Sequence, residues 1–481
     1  MKFNPKKISI PHVFIFLSYI ILFCSILTYI IPSGTYQRVT KKIGHTEQTM
    51  VIPGSFKVLP KHYSLKGIIL GEEVEGMASP VSILGLFSSI PKGMNQAASL
   101  IFYILIIGAV FNLISHTGTI NVVMYYLMQT FKHRPDFLLF LIYFVLFCAG
   151  SFMGMGSEFI PLIPLFLLIA KEFGYDRMFG IGLFLVPTYV GWTAAMTNPF
   201  NVQIAQAVAE VPIGSGMIFR SVIFILCFII SFLFFMRYGK KVKKNHHLSL
   251  IENDPFMNLD EFKLHKEAIK RKHIFIITSA LILFAMILYA VQTMGWGLIE
   301  MTGGFFTVGL VTILISKMSG EEAMKAFVKG LEMMIVPALI VGFARGIQVV
   351  MFEGQIVDTI LFQTASILEN LPKTMAVEGM FVFQSFLNFF IPSASGQALV
   401  SMPLMVPLAD LLSISRQTSV LAFVLGDGFS NILIPTNGEL MAILGIAMVP
   451  FEKWFRFVLP LFLIMTLLSF VILLGAVYFN Y

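Results

Sequence analysis

Long runs of apolar residues with almost no charge constrain this chain more than any other feature. Residues 13–31, 100–114, 137–149, 178–196, 218–236, 274–294, 376–391 and 455–478 all read this way. Several reach the roughly 20 residues a helix needs to cross a bilayer core. None alternates as a barrel strand would, and a lipid-exposed backbone must satisfy its own hydrogen bonds. The runs therefore predict spanning helices. Only 12% of the 481 residues are charged, about half the share usual in soluble domains. So few charges could not cover water-soluble cores of this size. The expected fold class is an all-α polytopic membrane protein. The first run, behind Lys2, Lys6 and Lys7, is too long for a signal peptide, and no small-x-small cleavage site follows it.

The net charge of +7 is localised. Three lysines precede the first run, and residues 237–272 hold ten more basic residues, from Arg237 to Lys272. Basic loops stay in the cytoplasm. Both segments are therefore expected inside an inner (cytoplasmic) membrane, with the N-terminus cytoplasmic and the C-terminus external. Topology explains the basic run, so no nucleic-acid partner is expected. Cys24, Cys148 and Cys227 are far apart within apolar runs, and the histidines form no metal-ligand pattern. No cofactor is expected.

The two halves repeat one another. Lys92-Gly93-Met94 leads to an apolar helix and Gly118; Lys329-Gly330-Leu331 leads to another and Gly354. Pro164, Ala170 and Thr197-Asn198 recur as Pro403, Ala409 and Thr436-Asn437, each 239 residues on. The last helix of the first half ends in the basic linker, whereas that of the second starts beside Lys453 and Arg456. The repeats are thus expected to be inverted, a transporter signature with substrate near the membrane midplane. The expected divisions are a first helix (1–31), an external loop with an interfacial helix (32–98) and repeat 1 (99–236). A basic cytoplasmic linker (237–272), scaffold helices (273–328) and repeat 2 (329–481) follow. Thr- and Val-containing stretches in the external loop fit a small β-hairpin.

Each repeat contains a stretch unsuited to a simple span. The first runs from Gly150 through Ser157 and Glu158 to Glu172, the second from Ile391 through Ser395, Gly396 and Gln397 to Asp410. Small and polar residues join a full helix to a short one. Such a turn is tolerated at membrane depth only inside protein or beside a cavity. These stretches are expected to be re-entrant helical hairpins, near 150–172 and 390–412, with tips that meet; ordinary surface loops are the alternative. The next helix in each repeat should break at Thr197-Asn198-Pro199 and Pro435-Thr436-Asn437-Gly438. Freed carbonyls and polar side chains there could bind Na⁺, at Thr197, Asn198, Thr436 and Asn437, or hydrogen-bond a substrate. Conventional helix ends are the plainer reading.

Charges inside apolar segments are costly and functional by default. Glu158, Asp427 and Glu439 are three such acids, against Arg345 in an otherwise apolar stretch. This balance favours a cationic substrate group or a coupling cation, and an Arg345–carboxylate pair is the structural alternative. A serine nucleophile at Ser393 or Ser395 has only His116 as a membrane-depth partner, with nothing to bring the two together. No enzyme is expected.

These motifs resemble a known family. Gly154-Met-Gly-Ser-Glu158, Met196-Thr-Asn-Pro-Phe200, Val341-Gly-Phe-Ala-Arg-Gly346, Ser395-Gly-Gln397, Gly426-Asp-Gly-Phe-Ser430 and Pro435-Thr436 are similar to the YfcC branch of the DcuC-like (C4-dicarboxylate anaerobic carrier) family. The likeness extends from the first apolar run to the last. It implies an elevator-type transporter with scaffold and mobile parts, often a homodimer, carrying dicarboxylates or exchanging basic amino acids such as arginine and ornithine. Relatives have Gly-Glu-Glu where this chain has Gly156-Ser157-Glu158, and Lys where it has Arg345. The lost carboxylate weakens any transfer of substrate preference.

The leading expectation is an antiporter for cationic amino acids. Hairpin-tip amides with Ser157 or Ser395 would hold the substrate carboxylate. Glu158, Asp427 or Glu439 would face its cationic end, with Asn198, Gly396, Gln397, Thr436, Asn437 and Arg345 completing the candidate site. The alternative is a Na⁺- or H⁺-coupled C4-dicarboxylate carrier that uses Arg345 for the anion. A membrane receptor or scaffold would be expected to carry a soluble domain larger than the 36-residue linker.

Overall fold

A computed structural model describes residues 13–43, 46–251 and 268–481, and the chain is mostly helical. Helix α1 (Val13–Ile30) leads to strands β1 (Ser33–Thr35), β2 (Arg38–Ile43), β3 (Thr46–Val51) and β4 (Lys57–Leu59). Next come α2 (Leu65–Ile69), α3 (Ile83–Gln96), α4 (Ala98–His116), α5 (Thr119–Phe131) and α6 (Pro135–Cys148). A π-turn (Ala149–Met153) and a 3-10 turn (Ser157–Leu162) separate α6 from α7 (Ile163–Glu172). Helix α8 (Arg177–Thr193) ends at a break, after which come a π-turn (Pro199–Gln203), α9 (Ile204–Val208) and α10 (Met217–Lys244). The second half contains α11 (Arg271–Met294), α12 (Leu298–Ser316), α13 (Gly320–Glu353), α14 (Val357–Leu368) and α15 (Lys373–Phe390). It closes with α16 (Ala394–Leu411), α17 (Arg416–Ser430), α18 (Gly438–Ile446) and α19 (Phe451–Tyr478).

Among the described residues, eight helices are long and apolar enough to cross a membrane: α1, α4, α6 with its π-turn, α10, α11, α12, α13 and α19. Six match apolar runs in the sequence. The other two, α12 and α13, are not among those runs: α12 carries Glu300, and Lys325, Lys329, Glu332 and Arg345 interrupt the apolar sequence of α13. Conversely, the run at 178–196 is α8, in which every residue but Trp192 is buried. In α17 every residue but Arg416 is buried. Helices that are apolar all round belong inside the bundle, and these two form its centre. Gly428 of α17 lies so close to α8 that a Cβ there would stand 2.3 Å from Thr193 Oγ1.

Helix α13 runs antiparallel along α3 and α4, and glycines set the approach. A Cβ on Gly93 would meet the Gly342 carbonyl oxygen at 2.5 Å and the Gly346 nitrogen at 2.6 Å. A Cβ on Gly330 would meet the Gly108 carbonyl oxygen and Ala109 Cα, each at 2.5 Å. Small residues that let backbones touch are the usual adhesive between helices in lipid, where burial itself gives no drive. The expected division between 328 and 329 falls inside this helix, and residues 237–244 of the expected linker continue α10 as helix. Residues 252–267 of that linker lie outside the described residues.

Strands β2 and β3 form the hairpin expected in the loop after α1, with Arg38 opposite Val51 and Ile43 opposite Thr46. Arg38 Nη2 donates to both oxygens of Asp358 on α14 at 2.8 and 3.0 Å, and the Tyr36 amide adds a third bond at 2.9 Å. This clasp fastens the loop to the second half of the chain.

Candidate functional site

The site begins where α6 stops. After the π-turn, Gly154 takes φ 64°, a left-handed conformation that glycine adopts without steric cost. A Cβ there would lie 2.3 Å from Asn198 Oδ1, so the turn also needs glycine for space. Ser151 then stitches this turn to the end of α8. Its hydroxyl donates to the Ala194 carbonyl at 2.6 Å, and its own carbonyl accepts the Met196 amide at 3.0 Å. Thr197 Oγ1 donates to the Phe152 carbonyl at 2.9 Å. The two interruptions of the first half are thus hydrogen-bonded to each other.

In the second half, α15 and α16 are joined by Ile391–Ser393 alone, with Ser393 as the N-cap of α16. Gln397 Nε2 reaches back to the Gln384 carbonyl and side-chain oxygens, both at 2.8 Å, and Ser401 donates to Gln384 Oε1 at 3.0 Å. These bonds lock the arms together. Asn388 Nδ2 bonds the Asp427 carbonyl at 2.9 Å and Ser430 Oγ at 2.8 Å, tying α15 to α17.

Both interruptions open onto one cavity of about 430 Å³. Gly156, Ser157 and Glu158 line it from the first, and Pro392, Ser393 and Ser395 from the second. Asn431, Asn437 and Glu439 line it from the break between α17 and α18. Glu158 is 5% exposed, and one of its oxygens accepts the Gly156 amide at 2.8 Å. Gly156 also makes room for the second acid, since a Cβ there would stand 3.1 Å from Glu439 Oε1. Among the described residues, no lysine, arginine or histidine lines this cavity. Two carboxylates without a balancing base attract a cation.

Five of the candidate residues are therefore brought together: Ser157, Glu158, Ser395, Asn437 and Glu439. The rest are outside the lining, for identifiable reasons. Asn198 Oδ1 accepts the Phe200 amide at 2.9 Å, and its Nδ2 donates to the Gly150 carbonyl at 3.3 Å. Asn437 Oδ1 accepts the Glu439 and Leu440 amides at 3.1 and 3.3 Å. Both asparagines therefore cap the helical segment after their break, which occupies the oxygens expected to bind Na⁺. Thr197 is likewise engaged with Phe152. Thr436 Oγ1 is buried with no hydrogen-bond partner and does not reach the cavity. Gln397 is committed to Gln384, and Gly396 donates its amide to Ser393.

Asp427 is fully buried behind the lining. Its Oδ1 accepts from Asn431 Nδ2 at 3.4 Å, and its Oδ2 has no hydrogen bond. Arg345 is on α13, one turn beyond Val341, which packs on Gly438. It does not line the cavity, its Nε is buried without a partner, and no ion pair among the described residues includes it. The structural alternative, an Arg345–carboxylate pair, is thus not formed among the described residues. His116 sits beside Glu322 at 3.0 Å, not beside Ser393 or Ser395.

Sequence reading missed the wall that α8 supplies: Phe184, Thr188, Tyr189 and Trp192, with Phe200 just past the break. Their i, i+4 spacing along one helix face, immediately before Thr197-Asn198, is the signal that could have found them. Tyr189 is tied in by Asn437, whose Nδ2 donates to its hydroxyl at 3.2 Å.

An acidic cavity closed between interrupted helices of a multi-pass membrane protein defines a solute transporter. The chain belongs to the DcuC (C4-dicarboxylate anaerobic carrier) family, whose profile matches residues 10–478. It is 31% identical to "Putative basic amino acid antiporter YfcC" of Escherichia coli (strain K12), over 99% of this chain and 98% of that one. An uncharacterized protein of Haemophilus influenzae (strain ATCC 51907 / DSM 11121 / KW20 / Rd) is 27% identical over 95% of this chain and 94% of its own. The Alcanivorax borkumensis YdaH transporter aligns over 98% of this chain and 99% of its own. At 16% identity and a TM-score of 0.41, that likeness is too loose to fix topology. Family membership makes the chain a secondary transporter.

Proposed function

We propose that the protein is an antiporter for cationic amino acids, exchanging arginine for ornithine. The observation that carries this reading is the lining of the cavity: Glu158 and Glu439 face it, and among the described residues no basic side chain does. The carboxylates would hold the guanidinium or ammonium group, while the α-carboxylate meets Ser157, Ser395 and the amides of the two tips. A dicarboxylate in the same place would meet two like charges with no cation to offset them. The alternative gains only from the family's description and from the unpartnered Nε of Arg345, which is outside the lining. The name of the Escherichia coli relative is in line with a basic amino acid.

The mechanism we infer is an elevator movement of two inverted repeats, 99–236 and 329–481, each with a re-entrant hairpin. Helices α6–α7 form one hairpin and α15–α16 the other, and their tips share the cavity. The glycine contacts support the repeat. Gly93 on Gly346 and Gly330 on Ala109 are the same contact with the halves exchanged, as expected for a pseudo-twofold axis in the membrane plane. Capping of a break by Asn198 in one half and Asn437 in the other supports it as well. The N-terminus would be cytoplasmic and the C-terminus external, by the charge rule.

Counterflow in proteoliposomes tests the function. Labelled arginine should enter vesicles loaded with ornithine, require that internal ornithine, and ignore collapse of ion gradients. Uptake of succinate driven by Na⁺ or H⁺, with no arginine signal, would establish the dicarboxylate reading instead.

A further inference from the structure

The cavity has an aromatic side that charge recognition alone does not use. Trp192 and Phe200 both line it, one from the last turn of α8 and the other just past the break. Their rings are parallel within 8°, with centroids 6.3 Å apart. Trp192 is the one residue of α8 that is not buried, and Phe200 keeps 39% of its surface exposed. Two aromatic rings thus line the cavity beside two carboxylates.

Phe200 is held at its backbone and packed at its ring. The Phe200 amide is held by Asn198 Oδ1, and its ring rests against the Gly154 turn, where a Cβ would stand 2.8 Å from Cδ2. Trp192 Nε1 is buried without a hydrogen-bond partner.

We propose that Trp192 and Phe200 form an aromatic stacking surface that selects a planar guanidinium over a tetrahedral ammonium of equal charge. The proposal rests on the cationic amino acid reading above. A guanidinium is flat, delocalised and weakly hydrated, so it gives up water readily and lies against an aromatic face; an ammonium is compact and strongly hydrated. Tryptophan is the best of the aromatic partners for a cation. A guanidinium lying on an aromatic face has its atoms about 3.5–4.0 Å from the ring. Glu158 and Glu439 can take the edge N–H groups of a guanidinium whose faces lie on the rings, a division of roles that a carboxylate fork favours.

The test is competition in proteoliposomes. Labelled arginine enters arginine-loaded vesicles, and unlabelled arginine, ornithine and citrulline are titrated against it; citrulline is planar but uncharged. Wild type is expected to bind arginine about five- to thirtyfold more tightly than ornithine, and citrulline more weakly than either. Trp192→Leu and Phe200→Leu should bring the ornithine-to-arginine ratio close to one by weakening arginine, while a thermal melt in detergent shows that the variants are folded. Trp192→Phe, which keeps a face, should retain most of the preference. A wild-type ratio near one, or leucine variants that exchange with the wild-type ratio, would overturn the stacking surface while leaving the cationic reading intact. Absence of exchange with either cation in wild type would overturn both.

Discussion

Glu158 and Glu439, from opposite halves of the chain, stand on either side of Gly156 and face the same cavity. The Gly156 amide donates to Glu158 Oε2 at 2.8 Å, while a Cβ at 156 would stand 3.1 Å from Glu439 Oε1. A glycine at the tip of the first hairpin thus lets an acid of the second half approach. The relationship joins the two halves chemically and gives the cavity its sign.

Neutralising either acid should therefore remove cation recognition. Glu158→Gln and Glu439→Gln are each expected to lower arginine exchange at least thirtyfold, about 2 kcal/mol or more for an unpaired charge at a desolvated contact. Glu353→Gln, at a half-exposed pair with Lys92, should change it less than about twofold. Initial rates of counterflow at matched protein content measure the difference. Equal rates in all three variants would show that the carboxylates do not face substrate.

The glycine contacts predict a packing defect. Gly330→Leu would drive a side chain into the backbone of Gly108 and Ala109, and overpacking of this kind costs about 1–3 kcal/mol or more. Gly475, with nothing within 4 Å of its would-be Cβ, should accept alanine almost without effect. Thermal unfolding in detergent, followed by tryptophan fluorescence, should separate the two.

Asn437 holds two amides of α18 and donates to Tyr189 and Asn431. Asn437→Ala should lower stability by about 1–2 kcal/mol, and Asn437→Ser should recover part of it, because serine also caps. If Asn437 were chiefly a Na⁺ ligand, stability would instead depend on Na⁺ in the wild type and lose that dependence in the variant. A thermal melt at several Na⁺ concentrations distinguishes these outcomes.

The Arg38–Asp358 clasp predicts how the loop after α1 is held. Asp358 is 5% exposed, so Arg38→Ala leaves a buried carboxylate with the Tyr36 amide. The partial exposure of Arg38 limits the cost to about 1–3 kcal/mol. Hydrogen exchange should quicken over β2 and β3 and leave α17 unchanged. Burial, with Asp358 beside it, also pushes the Tyr36 phenol up to about 12. Between pH 10 and 12 the unfolded phenol loses its proton while the folded one keeps it. Stability should fall as pH rises through that window, and Tyr36→Phe should remove this residue's share.

Part of the candidate site was legible because its residues break rules that apolar helices obey. Glu158 and Glu439 are charges in charge-poor segments, and Ser157, Ser395 and Asn437 lie in runs of small and polar residues that no spanning helix would choose. All five line the cavity. Trp192, Tyr189 and Phe200 broke no rule: aromatic residues in an apolar run look like core or lipid contact until the fold shows which face is left open. Asn198 failed for the opposite reason. Its amide oxygen was free in the sequence, but the π-turn after the break claimed it.

The sequence by itself determined the solvent and the class of structure, because a chain this poor in charge can bury its backbone only as helices in a bilayer. It also determined where the helices fail, since Gly, Pro and Thr-Asn interrupt them in both halves. Only the tertiary structure decided which polar groups are spent and which are free. Hydrogen bonds to Phe200 and Gly150, to Gln384 and to Phe152 consumed Asn198, Gln397 and Thr197 respectively, whereas Glu158 and Glu439 were brought together around a glycine small enough to admit both. That proximity depends on backbone contacts between halves, such as Gly93 with Gly346, which no local pattern encodes.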